Sequence, residues 1–461
     1  MTPLPPVGGR PPRLAWFSPI PPSSSGIAAY SADLVPVLRG RGLHVDVYAE
    51  LDEAGDGRLD ALDARDFVWR RRRQPYDLAV YHLGNARCHD YMWGYLFNVP
   101  GLVVLHDAQV HQARARALLQ RYRPRLDDYL AEFAAMHPDA PPAIAHLVAA
   151  GLGGSLYAHW PHVRLVLRAA RLAAVHSPQL AQRLQAAHGA DVAVVPMGVP
   201  DPLAPAPAAS SSEIRRRHGV PDGAVLVGAF GGVTPEKRLP ELLRAVAAAE
   251  VPAPLHVLIV GAPAGHYDVL ADAAAHGVAD RVHVTGFVAD ADLPAYLAAV
   301  DLCACLRWPS NGETSASWWR AMAAGKATVI TDLVHQPEIP VLDPRDWRPL
   351  GAREDTPVAV AIPILDEHQA LVHALEGLAR SPDLRAALGA AARDYWRRGH
   401  TVDAMADGYE AVVDRALARR IPEVELPPHL VATGDERMTA LLAPFGIGAP
   451  PGLAAESNER R

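Results

Sequence analysis

Short, continuously apolar stretches alternate with helical patterns twice in this chain, and a Pro-, Ala- and Ser-rich segment, residues 200–212, separates the two series. A strand that is apolar along its whole length is buried on both faces. Helices between such strands imply a parallel sheet covered on both sides. The first series places strands at 13–18, 43–48, 77–82, 101–106 and 172–176, and a helix after the first puts Ile27, Tyr30, Leu34, Val37 and Leu38 on one face. The second places strands at 224–230, 256–261, 282–285, 302–306 and 328–331, with helices at 239–249 and before Gly325. The predicted fold is α/β, with two parallel-sheet halves joined by one linker. A length of 461 residues, beyond what one core organises, agrees with two domains.

Composition narrows the function classes. Hydrophobic residues at 50% and charged residues at 21% are those of a folded globular protein. A net charge of -7 supplies no positive field, so nucleic acid is not an expected partner. No apolar run reaches bilayer length, and the Pro-rich start lacks a signal-peptide core, so a cytoplasmic location is expected. Three cysteines fit no disulfide framework, and Cys303 and Cys305 read as core packing. Lysine occurs only at Lys237 and Lys326, leaving 42 of the 44 Lys+Arg as arginine. Each lysine therefore stands out against a bias that looks like GC-rich coding.

Four loops carry candidate chemistry. The first strand runs into a Pro/Ser/Gly loop that ends at Gly26, where backbone amides at a helix start can hold an anion. Gly231 and Gly232 sit at the equivalent place in the second half, followed by Lys237 and Arg238, a combination suited to a diphosphate. Gly312, Glu313, Thr314 and Ser315 precede a third helix, where small hydroxyl residues and amides suit phosphate and Glu313 suits sugar hydroxyls. The plain alternative is N-capping by Thr314 or Ser315. His106 and Asp107 close an apolar strand, with His82, His89, Asp90 and His111 near in sequence. These read as polar groups in the cleft, as a metal site, or as ordinary surface histidines. No metal-ligand spacing such as HExxH is present, so no metal is expected.

Taken together, these pieces resemble the retaining nucleotide-sugar glycosyltransferases of the GT-B fold, especially glycosyltransferase family four. The resemblance runs from Leu14 to about Ala416 and rests on the loop ending at Gly26, the His106–Asp107 pair and residues 194–199 before the linker. It continues with residues 235–237, 286–288 and 320–325. It implies an α/β fold of two Rossmann-like parallel-sheet domains facing a cleft, with an acceptor-side domain at 1–199, a linker at 200–212 and a donor domain at 213–393. A helix at 394–420 would then cross back onto the first domain, ahead of a partly ordered tail at 421–461.

Within that frame Lys237 would hold the donor diphosphate and the 312–315 loop would meet it with backbone amides. His106 would contact the transferred sugar, and Gly26 would let the first loop close on the phosphate. The implied co-substrate is a nucleoside-diphosphate sugar, with no cofactor and no metal. The acceptor would be a small molecule, a glycan or a lipid-linked sugar, the last compatible with peripheral membrane contact. Two positions depart from the family pattern. Gly232 stands where an Arg is common. Arg320 stands where the family has the second of two glutamates eight positions apart, and Glu313 falls one place after the first. Arg238 is the expected substitute for the lost cation. The expected activity is sugar transfer with retention, catalysed with His106 and Asp107. The alternatives are a non-catalytic GT-B-like binding protein and a nucleotide-sugar epimerase.

Overall fold

A computed structural model describes residues 10–23, 25–51, 58–121, 125–204, 209–310, 312–332, 338–350, 355–432 and 442–446. The first domain is built on β1 (Arg13–Phe17), β2 (His44–Ala49), β3 (Leu62–Asp63), β4 (Leu78–Leu83), β5 (Leu102–Leu105), β6 (Leu172–Val175) and β7 (Val192–Val194). They form one parallel sheet in the order β3-β2-β1-β4-β5-β6-β7. The second contains β8 (Val225–Phe230), β9 (Leu255–Val260), β10 (Val282–Val284), β11 (Leu302–Cys305), β12 (Ala327–Thr331), β13 (Val341–Asp343), β14 (Arg348–Pro349) and β15 (Ala359–Ile362). Its order is β10-β9-β8-β11-β12-β15-β13-β14, parallel except for β13 with β14. Every residue of β4, β5, β8, β9, β12 and β15 is buried, as strands covered on both faces must be.

Strand order reverses direction between β1 and β4 in one sheet and between β8 and β11 in the other. Open parallel sheets bind ligands at such switch points, outside the carboxyl ends of the strands. The loops after β1, β8 and β11 therefore occupy the ligand positions of their sheets.

The C-terminal course differs from the expected single helix at 394–420. Two helices, Pro382–Gly399 and Val402–Leu417, meet at His400 and Thr401. Thr401 caps the second helix, accepting from the amide of Ala404 at 3.1 Å, so Gly399 and this cap end one helix and start the next. The first helix stays with the second domain. The crossing helix buries Met405, Ala406, Tyr409, Val412, Val413 and Ala416. It lies against the helix Gly26–Gly40, where the hydroxyls of Tyr30 and Tyr409 meet at 2.7 Å and Arg41 pairs with Asp403 at 2.9 Å. Its start also touches the segment before the linker. A side chain on Gly198 would stand 2.3 Å from the Thr401 carbonyl, so only glycine fits there. The linker is shorter than expected as well, because a helix capped by Ser210 already begins at Ser211.

The tail is partly described, and its first part belongs to the first domain. Leu430 is buried there, and His429 Nε2 lies 3.0 Å from Glu132 Oε2. Truncation after Ile421 is therefore expected to destabilise the chain, since burying one leucine contributes about 1.5–3 kcal/mol. Truncation after Ala432 keeps these contacts and should melt like the full chain. Equal melting of both truncations would contradict this placement of Leu430.

Candidate functional site

Three segments of the second domain converge at its switch point. Gly231 follows β8 with φ +104, a left-handed conformation that favours glycine, and a Cβ there would lie 2.6 Å from Lys237 Nζ. The backbone thus folds closely around the half-buried lysine, whose Nζ donates to the Phe230 carbonyl at 2.7 Å. Burial, with the nearby Arg307 guanidinium, lowers the Lys237 pKa to about 8, so it is mainly cationic at neutral pH. Arg307 follows β11 and donates from Nε to Glu313 Oε1 at 2.9 Å. Ser315 caps the helix Ala316–Ala323 by accepting from the Trp318 amide at 3.3 Å, and the Ser317 Oγ faces Gly231. A glycine turn, the Lys237 ammonium, an arginine paired with Glu313 and an open helix start border one cradle with a net charge of about plus one, suited to an anion.

The expected donor residues do not all contribute in the expected way. Gly232 is exposed with open space before its Cα, and the same holds for Gly26, so both permit close approach of a ligand to backbone. Arg238 does not stand in as a site cation. Its guanidinium is paired with Glu367 and, at 2.9 Å, with Glu241, which ties it to the helix behind the loop. Arg307, which the sequence reading did not single out, supplies the second cation. Its position directly after the strand at the switch point is the signal that could have found it. Glu313 is held by Arg307 and by the Ser310 hydroxyl at 3.0 Å, and the Gly312 amide donates to Ser310 Oγ at 3.1 Å. The Gly312 amide is thus engaged within its own loop. The amides after it, at the helix start, form the open part of the cradle. Thr314 lies between them and Gly312 in the same loop.

Across the cleft, the loop after β5 faces this cradle. Gly312, with φ +79, sits where a Cβ would contact Ala108 Cβ at 3.0 Å. The adjacent Asp107 Oδ2 accepts from the Asn85 amide at 2.6 Å. Burial, aided by the Glu313 charge, pushes the Asp107 carboxyl up to about 6. Gly84 is required for this geometry, because a Cβ there would meet Ile27, His89 and Asp107 at 2.9–3.2 Å.

His106 is enclosed by two further imidazoles. Its Nε2 lies 3.0 Å from His82 Nδ1, its Nδ1 3.3 Å from His176 Nε2, and Tyr30 packs edge-on at 4.9 Å. The tautomers follow from one fixed end. The Val195 carbonyl can only accept, so His176 Nδ1, at 3.0 Å, carries the proton. His176 Nε2 then accepts from His106 Nδ1, and His106 Nε2 accepts from His82 Nδ1. The chain ends at His82 Nε2, which is buried without a hydrogen-bond partner. Burial and the mutual proximity of the rings hold His106 well below the usual histidine range. Both His106 nitrogens are engaged by His82 and His176, so neither is free in this arrangement for the direct sugar contact that the resemblance implies. Of the two predicted catalytic residues, Asp107 is the one that faces Glu313 and Arg307 of the second domain.

Arg320, at the position of the missing glutamate, takes part in a charge cluster between the domains. It lies 3.1 Å from Asp290 and 3.5 Å from Asp33, and Arg58 reaches Asp290 at 2.8 Å and Asp33 at 3.6 Å. Asp33 and Arg58 come from the first domain, Asp290 and Arg320 from the second. Among the described residues, no group of three or more His, Cys, Asp or Glu is placed to hold a metal ion.

Residues 224–362 match the family model described as glycosyl transferases group 1. Whole-chain likeness comes from solved structures. Sucrose-phosphate synthase from Thermosynechococcus elongatus is 16% identical, with a TM-score of 0.60 over 88% of this chain and 99% of that one. WaaG, a glycosyltransferase involved in lipopolysaccharide biosynthesis, is 13% identical, with a TM-score of 0.59 over 87% and 99%. Anabaena Alr3699/HepE in complex with UDP and glucose is 16% identical, with a TM-score of 0.57 over 88% and 100%. The fold is GT-B. The family match spans β8 to β15 and so contains the whole cradle of Gly231, Lys237, Arg307 and the 312–317 loop. No curated protein matches the chain. No helix among the described residues is long and apolar enough to cross a membrane.

Proposed function

We propose that the protein transfers a sugar from a nucleoside diphosphate to an acceptor hydroxyl, with the donor diphosphate in the Gly231–Lys237–Arg307 cradle. The carrying observation is the convergence of these three residues with an open helix start at the switch point of the second sheet. The group 1 match over this domain supports a glycosyl donor, and the complex of a fold neighbour with UDP-glucose supports the nucleotide class. Leaving-group charge builds on the diphosphate as the sugar C1–O bond breaks, and preorganised cations and amides stabilise such charge. In the retaining, family-four manner implied by the resemblance, the acceptor attacks from the same face and its proton passes to the leaving phosphate. Asp107, on the opposite wall, is placed to orient the acceptor side.

Lys237→Ala tests the cradle. Loss of a charge-assisted contact should weaken donor binding by about 1.5–3 kcal/mol without unfolding the chain. Unchanged donor affinity in calorimetry contradicts the assignment. One observation favours a second reading, a non-catalytic binding protein: Glu313 and Arg320 are both engaged in ion pairs. Release of nucleoside diphosphate from a bound nucleotide sugar in the presence of acceptors distinguishes the two, because only the enzyme turns over. Release without any acceptor product would instead point to hydrolysis, with water as acceptor, and conversion to an isomeric nucleotide sugar without net release would point to an epimerase.

A further inference from the structure

The chain's two lysines stand at opposite ends of the same sheet. Lys237 follows β8 at the carboxyl end, while Lys326 precedes β12 at the amino end, far from the cleft loops. Lys326 lines a cavity of about 310 Å³ together with Ser211, Arg215, Asp301, Gly325 and Arg385. Three cations and one carboxylate therefore face one space. The carboxylate is already engaged, since Asp301 Oδ2 accepts from Arg215 at 2.5 Å and from the Leu226 amide at 2.7 Å.

The other two cations have only neutral partners. Lys326 Nζ donates to the carbonyls of Val300 at 2.8 Å and Ala298 at 3.2 Å, and Arg385 Nη1 donates to those of Leu378 and Ala379. Among the described residues no carboxylate lies within ion-pair distance of either. These carbonyls end the helices Leu293–Ala299 and Glu367–Arg380, whose dipoles offset about half a charge each and leave a net charge of about one beside the cavity. Burial holds the Lys326 pKa below its ordinary value, a cost that a bound anion offsets.

The cavity also lies where the linker enters the second domain. Ser211 directly follows the 200–210 linker. Arg385 belongs to the first turn of the helix Pro382–Gly399, about 21 Å from the end that leads to the crossing helix. The same helix holds the linker through Arg393, paired with Asp201 at 2.9 Å. We propose that this cavity is a second anion site, for inorganic phosphate or a phosphate monoester, whose ligand joins the start of the second domain at Ser211 to the first turn of the helix Pro382–Gly399. It is independent of the donor reading, because it uses neither the cleft loops nor Lys237.

The test is titration of the full chain with inorganic phosphate and, separately, with a hexose 6-phosphate, against chloride at matched ionic strength. Lys237→Ala serves as the background in which the cleft cradle is disabled. Binding should persist in Lys237→Ala and weaken at least about tenfold in the Lys326→Met, Arg385→Gln double variant. Nucleoside diphosphate binding should be unchanged in that double variant. If the double variant does not fold, Arg385→Glu alone must produce the same loss. A response to the hexose phosphate alone identifies a monoester as the ligand and supports the site. Binding that vanishes in Lys237→Ala, that ignores the double substitution, or that is absent for both probes overturns it.

Discussion

Replacing Arg114 with methionine is expected to destabilise the protein by about 3–5 kcal/mol, because it strands a buried carboxylate. Glu132 has no exposed surface and accepts both guanidinium hydrogen bonds of Arg114, at 2.8 and 2.7 Å. Burial alone would push its carboxyl up, but Arg114 beside it prevails and holds it well below the usual range. The remaining partners are His162 at 3.2 Å and His429 at 3.0 Å. Burial lowers the pKa of His162, which leaves Arg114 as the cation paired with Glu132 in the intact protein. Arg114 also stacks over the Trp93 ring at 4.3 Å, so packing is lost with the charge. The double replacement Arg114→Met, Glu132→Gln should recover much of the loss, since neither partner is then left charged. Urea unfolding of the three proteins decides the point. A single-variant loss under about 1 kcal/mol would place this pair with weak surface bridges.

A steep loss of stability below pH 6.5 is the second large effect. His82, His89, His106, His111, His162 and His176 are all buried and all depressed by burial, with His89 and His176 at about 4 and His111 at about 3. The native rings stay neutral while the unfolded chain binds protons from about pH 6.5 downward. Their contribution is fully present above that pH and is lost as pH falls towards the native values. Each ring contributes a slope of up to about 1.4 kcal/mol per pH unit. Asp107 acts in the opposite sense. Its raised value, about 6, favours the native state in acid and gives way as pH rises through 6. One carboxyl does not offset six imidazoles. Over two pH units their sum rivals the whole stability of a domain, about 5–15 kcal/mol, so cooperative unfolding of the first domain is expected near pH 5. A denaturation midpoint that is flat from pH 7.5 to 5 would contradict the neutral-imidazole assignment.

The same histidines show where the sequence was legible and where it was not. Strands β8 and β9 were visible because they are buried on both faces and therefore apolar throughout. Strand β15 has the same character, but no helical pattern precedes it, so a rule based on alternation passes over it. Two-residue strands such as β3 and β14 carry no periodicity at all. The imidazole chain was partly readable. His82 lies near the end of β4, His106 directly follows β5 and His176 directly follows β6, and β4, β5 and β6 are neighbours in the sheet. Knowledge of strand order, a tertiary property, is what turns three distant histidines into one hydrogen-bonded row. Lys237 was legible because it follows a glycine turn. The diversion of Arg238 to Glu367 was not, because its partner is 129 positions away.

Sugar transfer by this chain requires the cradle after β8 and β11 to be a nucleotide-sugar donor site. Thermal melting of the full chain with saturating UDP-, GDP-, ADP- and dTDP-sugars tests that without knowledge of the acceptor. Ligand at a hundredfold over its Kd stabilises by about 2.7 kcal/mol, which raises Tm by several degrees. The predicted result is such a rise with one nucleotide series, abolished or strongly reduced in Lys237→Ala. No rise with any series, or a rise that Lys237→Ala leaves intact, would contradict it.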